Sequence, residues 1–151
     1  MTGDEIARAV LDANSFMTLA TADASGTPWA SPVWFATENH RDFYWVSAPT
    51  SRHSVNLAER PVLSIVVFDS TATPLMGQAV YMMATAAQVP DPEIHDALTL
   101  FNRASVRSGL SEFTLDRVTG SARLRLYRAT ATEHSILDPD ATIDTRIPVS
   151  P

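Results

Sequence analysis

The sequence predicts a mainly β fold of the α+β class, in which six antiparallel strands form a barrel flanked by three helices. Two observations carry this prediction. Six extended runs are joined mostly by short turns, which favours hairpins and antiparallel pairing. Long strands in a twisted sheet of this size tend to close into a barrel, because closure removes exposed edges. The 151 residues contain no internal repeat or linker, so we expect a single folded domain.

The first third of the chain predicts one helix and three strands. Thr2 and Glu5 have the spacing of a capping box, and apolar residues then recur at helical spacing up to Asn14. Three extended runs follow, over 16–21, 28–36 and 43–47. Gly26 lies in the first turn, where it can adopt a positive φ. Pro32 cannot donate to a ladder, so it marks the second strand as an edge or a break.

The remaining elements alternate between strands and helices. A helix over 51–59 must end before Pro61, because the residue before proline avoids helical backbone. The run 62–68 is apolar on both faces and is predicted to lie deep in the sheet. Further elements are a strand over 78–89, a helix from Asp91 to Gly109 and a strand over 122–137. Residues 138–151 have no periodicity and are predicted to form a tail or an arm on a partner.

Composition excludes several kinds of chemistry. The chain contains no cysteine, which excludes disulfides, thiolate metal sites and a cysteine nucleophile. It also contains no lysine, which excludes a lysine Schiff base and a Walker phosphate loop. The net charge of −6 argues against broad nucleic-acid binding, and the four histidines lack the spacing of a zinc site. No run resembles a membrane span or a signal peptide, so the cytoplasm is expected.

The loop that precedes the second helix is the most informative segment. Thr50, Ser51, Arg52 and His53 follow an aromatic strand and lead directly into the helix. The first N–H groups of a helix have no internal partner and favour an anion, and Arg adds planar donors that suit a phosphate. The alternative is an ordinary N-cap serine beside a surface arginine.

Four local patterns together resemble the flavin-binding split β-barrel family, the pyridoxamine 5′-phosphate oxidase-like proteins. The patterns are a first hairpin over 17–29, a third strand over 43–47 followed by Ser51-Arg52-His53, a short helix ending in Arg60-Pro61, and a final strand over 123–128. Each is degenerate alone, but their order and spacing are fairly specific. The match spans roughly 6–137, which makes 1–137 the expected flavin-binding domain and 138–151 the tail.

The resemblance implies a homodimer with an FMN site at each subunit interface. The residues it assigns to the FMN phosphate are Arg52 and His53, helped by Ser51 or Thr50. Those it assigns to the isoalloxazine and ribityl region are Pro32, Val33, Trp34, Val46 and Ser47, and Gln78 would be offered to the partner's site. A charged His53 would make phosphate binding weaker at high pH.

The sequence also departs from true pyridoxamine phosphate oxidases. Those enzymes use an Arg and a Lys on the second strand, where residues 31–35 of this chain carry no charge. They also end in a segment with Arg and His that binds the substrate, and residues 145–151 do not reproduce it. The first expectation is therefore a flavin-dependent oxidoreductase for an unknown small molecule, with no catalytic residue identified. The alternatives are a reductase using the deazaflavin F420, a flavin- or haem-binding dimer without catalysis, and a barrel that binds nothing.

Overall fold

A computed structural model describes the whole chain, residues 1–151. Its helices are α1 (Gly3–Ala13), α2 (Arg52–Glu59) and α3 (Ile94–Arg107), with single 3-10 turns at Asp91–Glu93 and Leu115–Arg117. Its strands are β1 (Phe16–Ala22), β2 (Pro28–Trp34), β3 (Asp42–Ser47), β4 (Val62–Phe68), β5 (Ala79–Gln88), β6 (Arg125–Leu137) and β7 (Arg146–Pro148). The predicted helices and strands are thus present, with small shifts at their ends. None of the helices has the length and apolar character needed to cross a membrane.

The strands form one antiparallel sheet in the order β2-β1-β4-β5-β6-β3, and β7 pairs with β6. The predicted antiparallel split-barrel architecture is confirmed. Closure is incomplete, however, because β2 and β3 stand at opposite ends of the order. An isolated bridge joins β3 to the segment that follows β2, where Ala36 and Tyr44 exchange two backbone hydrogen bonds of 2.9 Å. The long turn between β2 and β3 separates the rest of the two strands and leaves an open seam.

Two boundaries differ from the sequence prediction for a visible reason. The last strand begins at Arg125 rather than at 122, because the Arg125 guanidinium donates to the carbonyls of Gly120, Ala122 and Leu124 and holds that segment in a turn. In the segment expected to be a tail, β7 adds a short strand along β6 of the same chain.

The apolar residues form two separate clusters. The interior cluster of 20 buried residues fills the barrel, where α1 contributes Ala7 and Leu11. The α3 cluster of nine buried residues lies outside the sheet, where Phe101 and Leu98 of α3 pack near Tyr44 and Leu126. The barrel is therefore filled on its inside and covered by α3 beside the β2–β3 seam.

The outer face of the central strands is exposed, which corrects the prediction that β4 lies deep in the sheet. β4 does pair with a strand on each side, but Val62 is 61% and Phe68 is 49% exposed. The strands on either side of β4 also carry exposed apolar side chains, Phe16 on β1 and Met83 on β5. The apolar outer residues of β4 are therefore in contact with solvent in the single chain.

Candidate functional site

A cavity of about 470 Å³ lies beside the β2–β3 seam, where α3 covers the sheet. Its lining residues are Pro32, Val33, Trp34, Val46, Ser47, His53, Phe101, Ser105, Leu110, Phe113 and Leu124. The lining is mostly apolar, with a few polar atoms. That combination is typical of small-molecule and cofactor sites, since apolar walls provide affinity and few polar groups fix orientation.

Three elements bring the predicted site residues to this cavity. Pro32–Trp34 end β2, Val46 and Ser47 end β3, and His53 lies in the first turn of α2. These strand ends can meet at the cavity because the sheet is open between β2 and β3. Six of the ten predicted site residues therefore line one cavity, although they come from three separate segments.

His53 is a buried residue held by serine hydroxyls. Its Nε2 lies 2.9 Å from Ser47 Oγ and 3.2 Å from Ser51 Oγ, and its Nδ1 lies 3.2 Å from Ser31 Oγ. The side chain is only 9% exposed, and burial lowers the pKa of its imidazole. No carboxylate faces the ring to favour the charged form, so the neutral imidazole is expected near pH 7.

The loop before α2 carries two exposed polar side chains, Thr50 and Arg52. Arg52 is exposed, and its guanidinium carbon lies 4.3 Å from the centre of the Trp29 ring. Ser51 is the N-cap residue of α2, but its hydroxyl does not cap the helix and instead donates to the carbonyl of Ala48 at 2.8 Å. The first turn of α2 therefore keeps backbone donors without a side-chain cap next to an arginine. Thr50 is exposed on the same loop.

One acidic group lies near this loop. Hydrogen bonds from Ser25 and Thr27 lower the pKa of the Asp23 carboxyl, and the positive charge of Arg52 lowers it further. Asp23 is already engaged by its own turn, where its Oδ1 accepts from the backbone N–H groups of Ser25 and Thr27. Arg52 forms no ion pair with it within 4.0 Å, so its guanidinium remains free for an anion.

A buried amide fixes α2 against the sheet. Asn56 Nδ2 donates to Thr21 Oγ1 on β1 at 3.0 Å, and both side chains are 3% exposed. Leu57 on the same helix joins the interior cluster. The position of Arg52 and His53 relative to the cavity is thus set by a hydrogen bond and by packing at the centre of the helix.

The α3 wall of the cavity was missed by sequence reasoning. An apolar stripe on a helix such as α3 indicates core packing, yet Phe101 and Ser105 line the cavity, as do Leu110, Phe113 and Leu124 beyond the helix. Ser105 continues the stripe four residues after Phe101, so a small polar residue stands where an apolar one is expected. That interruption was the available signal.

Gln78 lies apart from these residues and lines a different cavity, of about 430 Å³, below the β4–β5 loop. Its Nε2 donates to the carbonyl of Leu137 at 3.1 Å, while its buried Oε1 has no partner. The intrachain cavity beside α3 therefore does not include this residue.

A second, larger groove of about 940 Å³ lies near the β2–β3 turn and is lined almost entirely by polar residues. His40 contacts Asp12 at 2.7 Å, and His134 lies 2.8 Å from the carbonyl of His40. No group of three or more histidine and acidic side chains could hold a metal ion. This groove is open and polar, in contrast to the apolar cavity under α3.

Solved structures share this fold at low sequence identity. A haem-binding protein from Mycobacterium smegmatis matches with a TM-score of 0.74 and 18% identity, over 98% of this chain and 58% of that one. A FAD-binding protein from Mesorhizobium loti matches with a TM-score of 0.67 and 20% identity, over 90% and 94%. An F420 reductase matches with a TM-score of 0.62 and 21% identity, over 85% and 95%. The TM-scores establish a common fold, and the chain spans 58% of the mycobacterial protein.

The family is established separately. A search of curated proteins gives no match. The family model described as pyridoxamine 5′-phosphate oxidase matches residues 4–135, most of the chain. The resemblance predicted from the four sequence patterns is confirmed by this match, and the protein belongs to the pyridoxamine 5′-phosphate oxidase family of split β-barrels.

Proposed function

We propose that the protein binds FMN in the cavity beside α3 and acts as a flavin-dependent oxidoreductase on a small molecule. The observation that carries this proposal is the convergence of six predicted site residues on one apolar cavity, next to a loop with a free arginine. Neither feature alone distinguishes a flavin site from ordinary packing. Together they provide a compartment for a planar ring and a position for a phosphate.

The cavity suits the ring. Its volume of about 470 Å³ falls within the range of about 300–1,000 Å³ found for small-molecule sites. Trp34 packs edge-on against Phe101, with ring centres 5.2 Å apart, and both contribute to the wall. Aromatic and aliphatic walls exclude water from a planar ring and gain free energy from its burial.

The loop suits the phosphate. The planar guanidinium of Arg52 can hold two phosphate oxygens, and the uncapped N–H groups of α2 favour an anion. Thr50 adds an exposed hydroxyl on the same loop, and Ser51 would join it if its hydroxyl exchanged the Ala48 carbonyl for the phosphate. With His53 neutral, Arg52 provides the charge for this interaction, and we assign His53 to orienting Ser47 and Ser31 at the cavity edge.

When bound, a flavin supplies hydride and electron transfer, and the protein supplies orientation and exclusion of water. The cavity lining contains no carboxylate, and His53 is its only titratable side chain. A hydride transfer through the cofactor is compatible with such a lining, because it requires no strong general base. His53 can hold a proton at Nδ1 or Nε2 between serine hydroxyls at the edge of the ring.

We further propose a homodimer formed through the exposed outer face of β1, β4 and β5. Val62 and Phe68 would be covered by the second copy, which removes large apolar side chains from water. Gln78 stays a predicted contact to the partner's cofactor. The cytoplasm stays the predicted location.

F420 and haem are the alternative ligands. An acidic chain without lysine is a poor host for the anionic F420 tail, unless arginines such as Arg52 suffice locally. A haem iron is held by a side chain such as histidine, methionine or tyrosine. The cavity lining contains no methionine or tyrosine, and both nitrogens of its one histidine, His53, are engaged with serines, so FMN is the favoured ligand for this cavity.

The test is a titration of the cofactor-stripped protein with FMN, followed by flavin fluorescence, with Arg52→Ala and Arg60→Ala in parallel. Arg60 is the matched control, because it is also exposed but follows the other end of α2, where it donates to the Ala24 carbonyl. We expect saturable binding of one FMN per subunit, weakened about 10- to 100-fold in Arg52→Ala and unchanged in Arg60→Ala.

Equal loss in the two arginine variants would contradict the assignment of the phosphate to the α2 loop. A wild-type protein that does not bind FMN would overturn the flavin proposal. Binding of F420 or haem in parallel titrations would then identify which alternative applies, and the failure of all ligands would favour a barrel that acts through its dimer surface.

A further inference from the structure

Ser105 is a buried polar residue with no hydrogen-bond partner. Its side chain lies on α3 in the wall of the cavity, is 1% exposed, and its Oγ makes no hydrogen bond within the chain. A hydroxyl removed from water without a partner destabilises the folded protein by about 1–3 kcal/mol. Alanine would avoid that cost at a helical position, and the chain itself gives this hydroxyl no partner.

The Ser105 hydroxyl is not bonded to its own helix, and the backbone that carries it is fixed. Serine within a helix often donates to the carbonyl four residues earlier, but Ser105 Oγ makes no such bond to Phe101. The Ser105 carbonyl accepts hydrogen bonds from the backbone N–H groups of Ser108 and Leu110. These bonds and the positive φ of Gly109, +76°, end α3 at this point. The backbone that carries the hydroxyl is thus fixed by the helix terminus.

The Ser47 hydroxyl and the His53 imidazole in the cavity lining are already engaged, whereas the Trp34 indole N–H on the β2 side has no partner within the chain. Ser47 Oγ and both ring nitrogens of His53 satisfy one another or Ser31 on the β2–β3 side. The α3 side is otherwise apolar, with Phe101, Phe113 and other hydrophobic residues. Ser105 Oγ is therefore the unengaged side-chain donor in the wall opposite the α2 loop.

We propose that Ser105 is a positioning residue that donates a hydrogen bond to an acceptor atom of the ring bound in the cavity. The acceptor is a carbonyl oxygen or an unprotonated ring nitrogen, groups that a flavin carries on its ring edge. This inference rests on the proposed function. It adds a second point of attachment: Arg52 holds the phosphate at α2, and Ser105 holds the ring at α3.

The two attachments predict different effects on two ligands, FMN and riboflavin, which share the ring but differ in the phosphate. Ser105→Ala should weaken both by a similar factor, about 5- to 10-fold, because the lost bond is to the ring. Arg52→Ala should weaken FMN and leave riboflavin almost unchanged. Thr99→Ala is the matched control on α3, since Thr99 is exposed and donates to the carbonyl of His95.

Thermal unfolding of the ligand-free variants separates a ligand contact from a structural role. Removing an unsatisfied buried hydroxyl should leave the unfolding temperature of Ser105→Ala unchanged or higher. If Ser105→Ala does not fold, Ser105→Cys has similar size and only a weak donor, and it should weaken both ligands in the same way.

If Ser105→Ala binds FMN and riboflavin as tightly as the wild-type protein does, the proposed role of Ser105 is wrong, while the flavin proposal stands. A lower unfolding temperature together with unchanged binding would identify the hydroxyl as structural. If the wild-type protein binds neither ligand, the flavin proposal itself fails, and the role of Ser105 fails with it.

Discussion

The interior cluster and the α3 cluster bury apolar side chains with different completeness. Inside the barrel, Leu19 and Met17 are fully buried, and α1 fills the space between the strands. Around α3, nine buried residues cover the sheet, but a cavity of about 470 Å³ remains with Ser105 in its wall. The interior comes mainly from alternating strand residues and the α3 cluster from a helical stripe, and both patterns predict buried apolar side chains. The difference teaches that the candidate site lies where packing stops short of filling the space.

The largest expected effect comes from shortening one leucine inside the barrel and one in the wall of the cavity beside the α3 cluster. Leu19→Ala leaves a void in a filled interior and should lower the free energy of unfolding by about 2–5 kcal/mol. Leu124 is half-buried, and Leu124→Ala only enlarges a cavity that already exists, so the loss in free energy of unfolding should be clearly smaller. Urea denaturation of the two variants measures the contrast. Equal losses would contradict the view that the regions differ in packing.

Filling the cavity tests the same contrast in the opposite direction. Leu124→Trp adds a large side chain to the cavity wall and should lower FMN affinity by more than about 10-fold, because the ring and the indole compete for one space. In a filled core, overpacking costs about 1–3 kcal/mol, whereas here the loss of stability should fall below that range. Fluorescence titration and urea denaturation of the same sample report both quantities. Unchanged FMN binding would exclude this cavity as the ring site.

The smallest expected effect is a dependence of stability on pH that arises at His53. Burial holds the folded pKa of His53 below the unfolded value of about 6.5. Protonation therefore favours the unfolded chain, so stability is complete above pH 6.5 and declines as the pH falls below it. Burial also lowers the pKa of His134, which contributes in the same direction. His53→Gln should reduce the slope without abolishing it, as measured by urea denaturation between pH 5 and 8.

The same burial changes the expected pH dependence of FMN binding. The sequence suggested that a charged His53 would weaken phosphate binding at high pH, but the structure surrounds the ring with neutral hydroxyls. If Arg52 supplies the charge, the FMN affinity of the wild-type protein should change between pH 7 and 8 by no more than the FMN affinity of Arg52→Ala changes. A decline that disappears in His53→Gln would restore the charged-histidine assignment.

Much of the strand layout could be predicted from sequence because it depends on local patterns. Alternating apolar residues and the turn at Gly26 predict β1 and β2, and the positive φ of Gly26 agrees with that turn. Pro61 predicts the end of α2, and the loop of hydroxyls predicts its start. These signals lie within a few residues of the structures they determine.

The remaining features depend on contacts between distant segments. The neutral state of His53 follows from burial among Ser31 and Ser47, which the sequence separates by 22 and six positions. The position of Ser105 in the cavity wall follows from where α3 lies on the sheet, since an apolar stripe alone does not reveal a cavity beneath it. The open seam and the start of β6 likewise depend on a long turn and on the carbonyls that surround Arg125.

The most direct measurement is a crystal structure of the protein with FMN bound. We predict the ring in the cavity between Val33 and α3, its edge within hydrogen-bond distance of Ser105 Oγ, and the phosphate at Arg52 and the start of α2. A ring bound in the polar groove beside His134, or on the outer face of β4, would contradict this assignment of the site.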